Sequence, residues 1–178
     1  MNFTAIIDKH SDKFDTSFNG LTDEQLNWRP NDQTWSIAQN LEHLIIINES
    51  YFPIFDQLMA GNFKPPFIGK FNFIAKKFGQ MILKSVDPNN LKKSKTFEVW
   101  KPNTSQIDGD ILSRFLDHQA TLKQYIIKLE KGQFLNSVIH SPVNKYIIYT
   151  LDDAFKIIVD HESRHFKQAT GILNLQNG

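Results

Sequence analysis

Two histidines four residues apart, His161 and His165, sit in the run His161-Glu162-Ser163-Arg164-His165. Read literally this is H-E-x-x-H, in which two imidazoles on one helix face grip a divalent ion and the glutamate serves as general base. A metal held in this way polarises a substrate, acidifies a bound water or favours a thiolate. Advancing about 100° per residue from His161 places His165 at roughly 40°, Ala154 and Ile172 at roughly 20°, and Ile158 at roughly 60°. Gln168 falls at roughly 340°, beside the pair, and Glu162 at roughly 100°, on the edge of the stripe. Both histidines therefore occupy the middle of an apolar face. Leaving two polar rings there without partners is costly, and one shared ion would satisfy both.

An open metal site of this kind needs a third protein ligand and a free coordination position. His43 is the best candidate, because Leu41, Leu44, Ile45, Ile46 and Ile47 surround it midway along an apolar helix. His10 competes, sharing a stripe with Phe3, Ile7 and Phe14; so do His118, at a stripe border, and His140, expected in a loop. A peptidase fits poorly. Only 13 residues follow His165, and none is His, Asp or Glu. The extended H-E-x-x-H-x-x-G-x-x-H pattern also fails, with Gln168 and Gly171 in its last two fixed places.

The elements that must position these rings are helical. Apolar residues recur at helical period over residues 3–18, 36–59, 108–131 and 151–175, with a short turn of helix at 22–26. Ser36-Ile37-Ala38-Gln39 forms a capping box, and Thr150 precedes two acidic first-turn residues. Leu44 to Ile47 is apolar all round, so this helix is expected to be covered on more than one side. Pro53 is expected to kink it. No strand pattern is convincing, and the expected class is all-α: a four-helix bundle with a long crossover, residues 61–107, between the second and third long helices. A further helical piece is expected at 67–84.

A length of 178 residues suits one domain, residues 1–178. The chain has no cysteine, so any metal must be held by nitrogen and oxygen, and any reacting thiol must come from a substrate. A net charge of +1 gives no reason to expect nucleic acid as a partner. No apolar run is long enough for a membrane span and no signal peptide is visible, so a cytoplasmic protein is expected. Residues 62–101 hold nine Lys against two acids, interleaved with phenylalanines expected to face inward. Such lysines could instead line a cleft that attracts an anionic substrate.

Two blocks of residues resemble the DinB/YfiT-like superfamily. The first is Leu21-Thr22-Asp23-Glu24-Gln25-Leu26-Asn27-Trp28-Arg29-Pro30, then Trp35-Ser36-Ile37 and Leu41-Glu42-His43-Leu44. The second is Ser141-Pro142-Val143 and His161 through Gln168. The resemblance implies the helix bundle, and one divalent metal ion, nickel or zinc, on His43, His161 and His165. It implies a transferase joining a low-molecular-weight thiol such as bacillithiol to an electrophile, or alternatively a metal-dependent hydrolase or a non-catalytic metal-binding stress-response bundle. It also makes a homodimer an expectation. Around the metal, Glu162 is a candidate general base, against a plain surface or supporting carboxylate. Gln168 is a candidate for orienting a ligand histidine. Arg164 and Arg29 are candidates for holding a substrate carboxylate. Trp28 and Trp35 are read as core anchors.

Overall fold

The structure is a computed structural model that describes residues 1–67, 72–90 and 96–178. It is mostly helical. In chain order the helices are α1 (Phe3–Phe18), α2 (Asp23–Asn27), α3 (Ile37–Glu49), α4 (Phe52–Met59), α5 (Asn72–Val86), α6 (Ile111–Lys131) and α7 (Leu151–Asn177). Short 3₁₀ turns lie at Glu98–Trp100 and Phe134–Asn136. Phe71, Lys92 and Lys93, part of the basic segment, lie outside the described residues, as does the stretch of the expected helix at 68–71.

Caps set the helix starts. Asn2 accepts from the backbone amide of Ala5 at α1. Thr22 and Gln25 form a reciprocal capping box on α2, as Ser36 and Gln39 do on α3. Thr150 accepts from Asp153 N at α7. Each side-chain oxygen satisfies an amide that the first helical turn leaves without a partner.

Two expectations need correction. The helix expected over 36–59 is two helices, broken at Ser50–Tyr51, with Pro53 in the first turn of α4. Proline lacks the amide that would bond back to the preceding turn, yet its fixed φ suits a helix start, so the chain ends one helix and begins another. The fold is also not purely helical. Strands β1 (Val138–Ser141) and β2 (Asn144–Thr150) pair antiparallel, with Ile139 opposite Tyr149 and His140 opposite Ile148. His140 thus lies in a strand, not a loop. A lone hairpin is marginal in water, but this one buries Ile139, Ile148 and Tyr149 and is backed by α5.

Helices α1, α3, α6 and α7 pack on one another, and two apolar clusters fill the space between them. One joins Phe3, Phe55, Leu122, Ile126 and Phe155 with the hairpin; Phe155 meets Phe3 and Phe55 edge-on. The other joins Phe14, Phe18, Leu41, Leu44, Phe115 and Ile172. Between them along the chain, each long helix contributes buried polar residues: His10 from α1, Asn48 from α3, His118 and Gln119 from α6, and Glu162 from α7. On α5 the buried residues are Ala75 and Gly79, whereas Phe73 is exposed, as is Phe67 ahead of the helix, contrary to the inward placement expected for these phenylalanines. Their share of the stripe is taken by Ile82, Leu83 and Val86, which pack partly buried on the first cluster.

His118 stacks on Phe52, and neither of its ring nitrogens has a hydrogen bond among the described residues. Burial pushes its pKa down to about 4, with the charge of Glu162 opposing. The folded value lies below the ordinary 6.5, so folding releases a proton from this ring. The stability it allows is present above about pH 6.5 and is lost as pH falls toward 4. The His118→Leu variant should therefore show a flatter dependence of the urea midpoint on pH between 6.5 and 4 in metal-free protein. A slope equal to that of wild type would contradict this account of His118.

Candidate metal centre

His43 lies on α3, and His161 and His165 lie one turn apart on α7; α3 and α7 pack directly together. One ligand atom from each of the three rings falls within 4.8 Å of the others. His161 Nε2 and His165 Nε2 are 3.0 Å apart, the spacing of neighbouring donors around one ion with bonds of about 2.0–2.1 Å. Trp35 closes one side, stacked on His165 at 5.9 Å and tilted against His43 at 4.9 Å between ring centroids. The tryptophan read as a core anchor is thus also a wall of the site.

Two hydrogen bonds decide which nitrogens are available. His43 Nδ1 donates to the backbone carbonyl of Trp100 at 2.6 Å. His165 Nδ1 donates to Asn40 Oδ1 at 2.7 Å. Asn40 is itself oriented, because its amide nitrogen donates to Ser36 O at 2.7 Å, leaving its oxygen for the imidazole. A carbonyl only accepts, so both rings carry their proton on Nδ1 and present an Nε2 lone pair. Partners of this type fix the tautomer and orientation of a metal-binding histidine.

The electrostatics agree. Burial drives the pKa of His43 down to about 4, partly offset by the Trp100 carbonyl. Burial, followed by the charges of His43 and Arg164, holds His161 well below its usual range. Burial first, then His161, His43 and Arg164, does the same for His165. Three rings kept neutral have lone pairs ready for a cation, with no proton to displace first. His161 keeps partial exposure while His43 and His165 are buried, so the cluster is reached from the His161 side.

The other residues singled out in the sequence take different places. Glu162 is fully buried and is not the surface carboxylate that its position at the stripe edge suggested. One oxygen accepts from His10 Nδ1 at 2.8 Å and Gln119 Nε2 at 3.2 Å, the other from Asn48 Nδ2 at 2.9 Å. His10 is thereby committed to Glu162, and its other nitrogen meets Ser163 Oγ at 3.0 Å. Arg164 donates to the carbonyls of Asp87 and Asn90, tying α7 to the loop after α5. Gln168 is exposed on α7. Arg29 pairs with Asp32 at 3.0 Å and, with Trp28, lines a polar cavity of about 360 Å³ at the start of α3. His140 Nδ1 bonds the carbonyl of Ser141.

Sequence reasoning missed Asn40 and Trp100. Asn40 lies three residues before His43, hence on the same face of α3, and that spacing was the available signal. The Trp100 contribution is a backbone oxygen, which no residue type announces.

A largely helical chain whose third and seventh helices converge on three neutral imidazoles defines a helical protein with a candidate three-nitrogen metal centre. The chain belongs to the DinB superfamily, whose family model matches residues 6–169. No curated protein and no solved structure gives a significant match.

If Asn40 orients His165, the Asn40→Ala variant should retain its helical circular dichroism yet bind zinc and nickel about 10–100-fold more weakly in chelator competition. Unchanged affinity for both ions would remove Asn40 from the site.

Proposed function

We propose that the chain is a metal-dependent transferase that joins a low-molecular-weight thiol to an electrophile, at a site where His43, His161 and His165 hold one nickel or zinc ion. The reading includes the arrangement of α1, α3–α4, α6 and α7 as a four-helix bundle with a long crossover. The observation that carries it is the number and state of the ligands. Among the described residues three neutral imidazoles converge, not four, and one of them is partly exposed. Structural sites are usually closed by four protein ligands, whereas three leave room for a substrate.

A divalent ion held there would supply Lewis acidity that favours the deprotonated thiol. The rest falls to the chain. The Asn40 and Trp100 oxygens hold two rings in the ligating tautomer. The positive charge of Arg164, felt at both α7 histidines, favours an anionic sulfur beside them. With no cysteine in the sequence, the sulfur comes from a second substrate. In the transfer a sulfur–carbon bond forms, the leaving group departs with its electron pair, and the thiol proton passes to solvent.

Both oxygens of Glu162 are already engaged by three protein donors, so it is not free to act as a general base. A divalent ion would acidify a thiol or a water alike, so thiol consumption, not the position of Glu162, separates transfer from hydrolysis.

Metal content of tag-free protein, measured by elemental mass spectrometry, tests the centre. About one equivalent of a divalent ion should bind in wild type and be lost in His43→Ala and His161→Ala. Loaded wild type should then consume bacillithiol or a similar thiol in the presence of chlorodinitrobenzene, with a rate at least about 100-fold above His161→Ala. Metal retention without thiol consumption across a panel of thiols and electrophiles would refute the transferase reading in favour of a scaffold site.

A further inference from the structure

The run Leu44-Ile45-Ile46-Ile47 makes α3 apolar on every side, and only part of it is used by the core. Leu44 and Ile45 are buried in the second apolar cluster, while Ile46 faces the other way. Among the described residues no further helix lines that side. Instead Ile46 lines a groove of about 640 Å³, together with Phe97 just before the 3₁₀ turn, Trp100 at its end, and Pro142 and Val143 of the hairpin turn. Phe97 and Val99 are 54% and 70% exposed there, although nothing in a short surface turn calls for apolar side chains.

We infer that this groove is a binding site for an uncharged apolar group, aromatic or aliphatic, carried by a small molecule: the apolar arm of the electrophile that reacts at the histidine cluster. The volume falls within the roughly 300–1,000 Å³ of small-molecule sites. Its lining is mainly apolar, with Glu98 and Ser50 as the polar members. Glu98 at the rim is paired with Lys101 at 2.5 Å. The hydroxyl of Ser50 already donates to Ile47 O and accepts from the Trp100 indole at 3.2 Å. Phe97 and Trp100, edge to face at 5.5 Å, present aromatic surface. A protein partner fits less well. Specific interfaces use about 20–30 residues a side, and eight residues line this concavity.

Trp100 ties the groove to the metal centre. Its ring is a wall of the groove, and its carbonyl is the acceptor that orients His43. Ile46 lies one helical turn beyond His43. A molecule seated here therefore rests against the residue that sets a ligand histidine. The assignment of the bound arm to an electrophile rests on the transferase reading; the groove as an apolar site does not.

The test uses N-phenyl-1-naphthylamine, an uncharged aromatic fluorophore, titrated into metal-free and metal-loaded full-length protein. Saturable binding near one equivalent is expected in both forms. Phe97→Ala, at an exposed position whose loss does not threaten folding, should weaken it at least about 10-fold, and Val143→Asp should weaken it further. Leu175→Asp, at an exposed leucine on the far end of α7, should leave it unchanged. Equal affinity in wild type, Phe97→Ala and Val143→Asp, or binding that never saturates, overturns the proposal. So does a wild-type dimer that excludes the probe and dissociates in Val143→Asp, since a second copy would then be the occupant. Probe binding as expected, alongside failure of thiol transfer, would leave the groove standing and remove only the reaction.

Discussion

A carboxylate with no exposure to water cannot be left without donors, and Glu162 of α7 has three, one from each of the other long helices. His10 reaches it from α1, Asn48 from α3 and Gln119 from α6. The apolar clusters on either side hold the helices together but tolerate sliding, since hydrophobic contact is non-directional. Hydrogen bonds to one carboxylate do not tolerate it. A shift of any helix by one turn would strand a buried donor or an oxygen of Glu162, at a desolvation cost of roughly 1–3 kcal/mol or more. The polar layer thus ties the four long helices together at one height.

The histidine cluster inherits that height. Residues 161 and 162 are adjacent on α7 but about 100° apart around its axis, so one helix serves two sites. Glu162 turns into the polar layer, and His161 turns with His165 toward α3. Fixing the height of α7 against α3 through Glu162 and Asn48 also fixes the height of His161 and His165 against His43. The H-E-x-x-H spelling therefore has a different meaning here from the one it has in peptidases. The glutamate aligns the helix that carries the ligands, and the sequence resemblance to a water-activating motif is a by-product of helical spacing.

Much of this was legible in the residues because the signals are local. Caps and apolar spacing marked α1, the start of α3, the end of α6 and nearly all of α7. The i,i+4 spacing put His161 and His165 on one helix face; His43 was the best of several candidates to join them, and the family resemblance completed the set. What escaped depends on partners distant in sequence. Glu162 looked like a rim carboxylate, since its three donors are 43, 114 and 152 residues away. The hairpin was hidden because Val138–Ser141 and Asn144–Thr150 are too short to announce themselves beside four long helical patterns. Their β-branched and aromatic residues around Pro142 were the available clue. Pro53 was recognised as a disturbance, but whether it bends a helix or starts one depends on the packing of α4.

The segment of residues 97–107 crosses α3 as a strap. Gln39 and Glu42 hold the backbone of Asn103, His43 holds Trp100, and Asn27 pairs in both directions with Ile107. These bonds span 57 to 80 residues of chain, whereas the caps that start each helix span three. Without that strap the proton of His43 would have no fixed acceptor and its ring would be free to turn. The candidate metal centre therefore depends on a segment that carries none of its histidines, and a change that loosens the strap would act on the third ring without touching it.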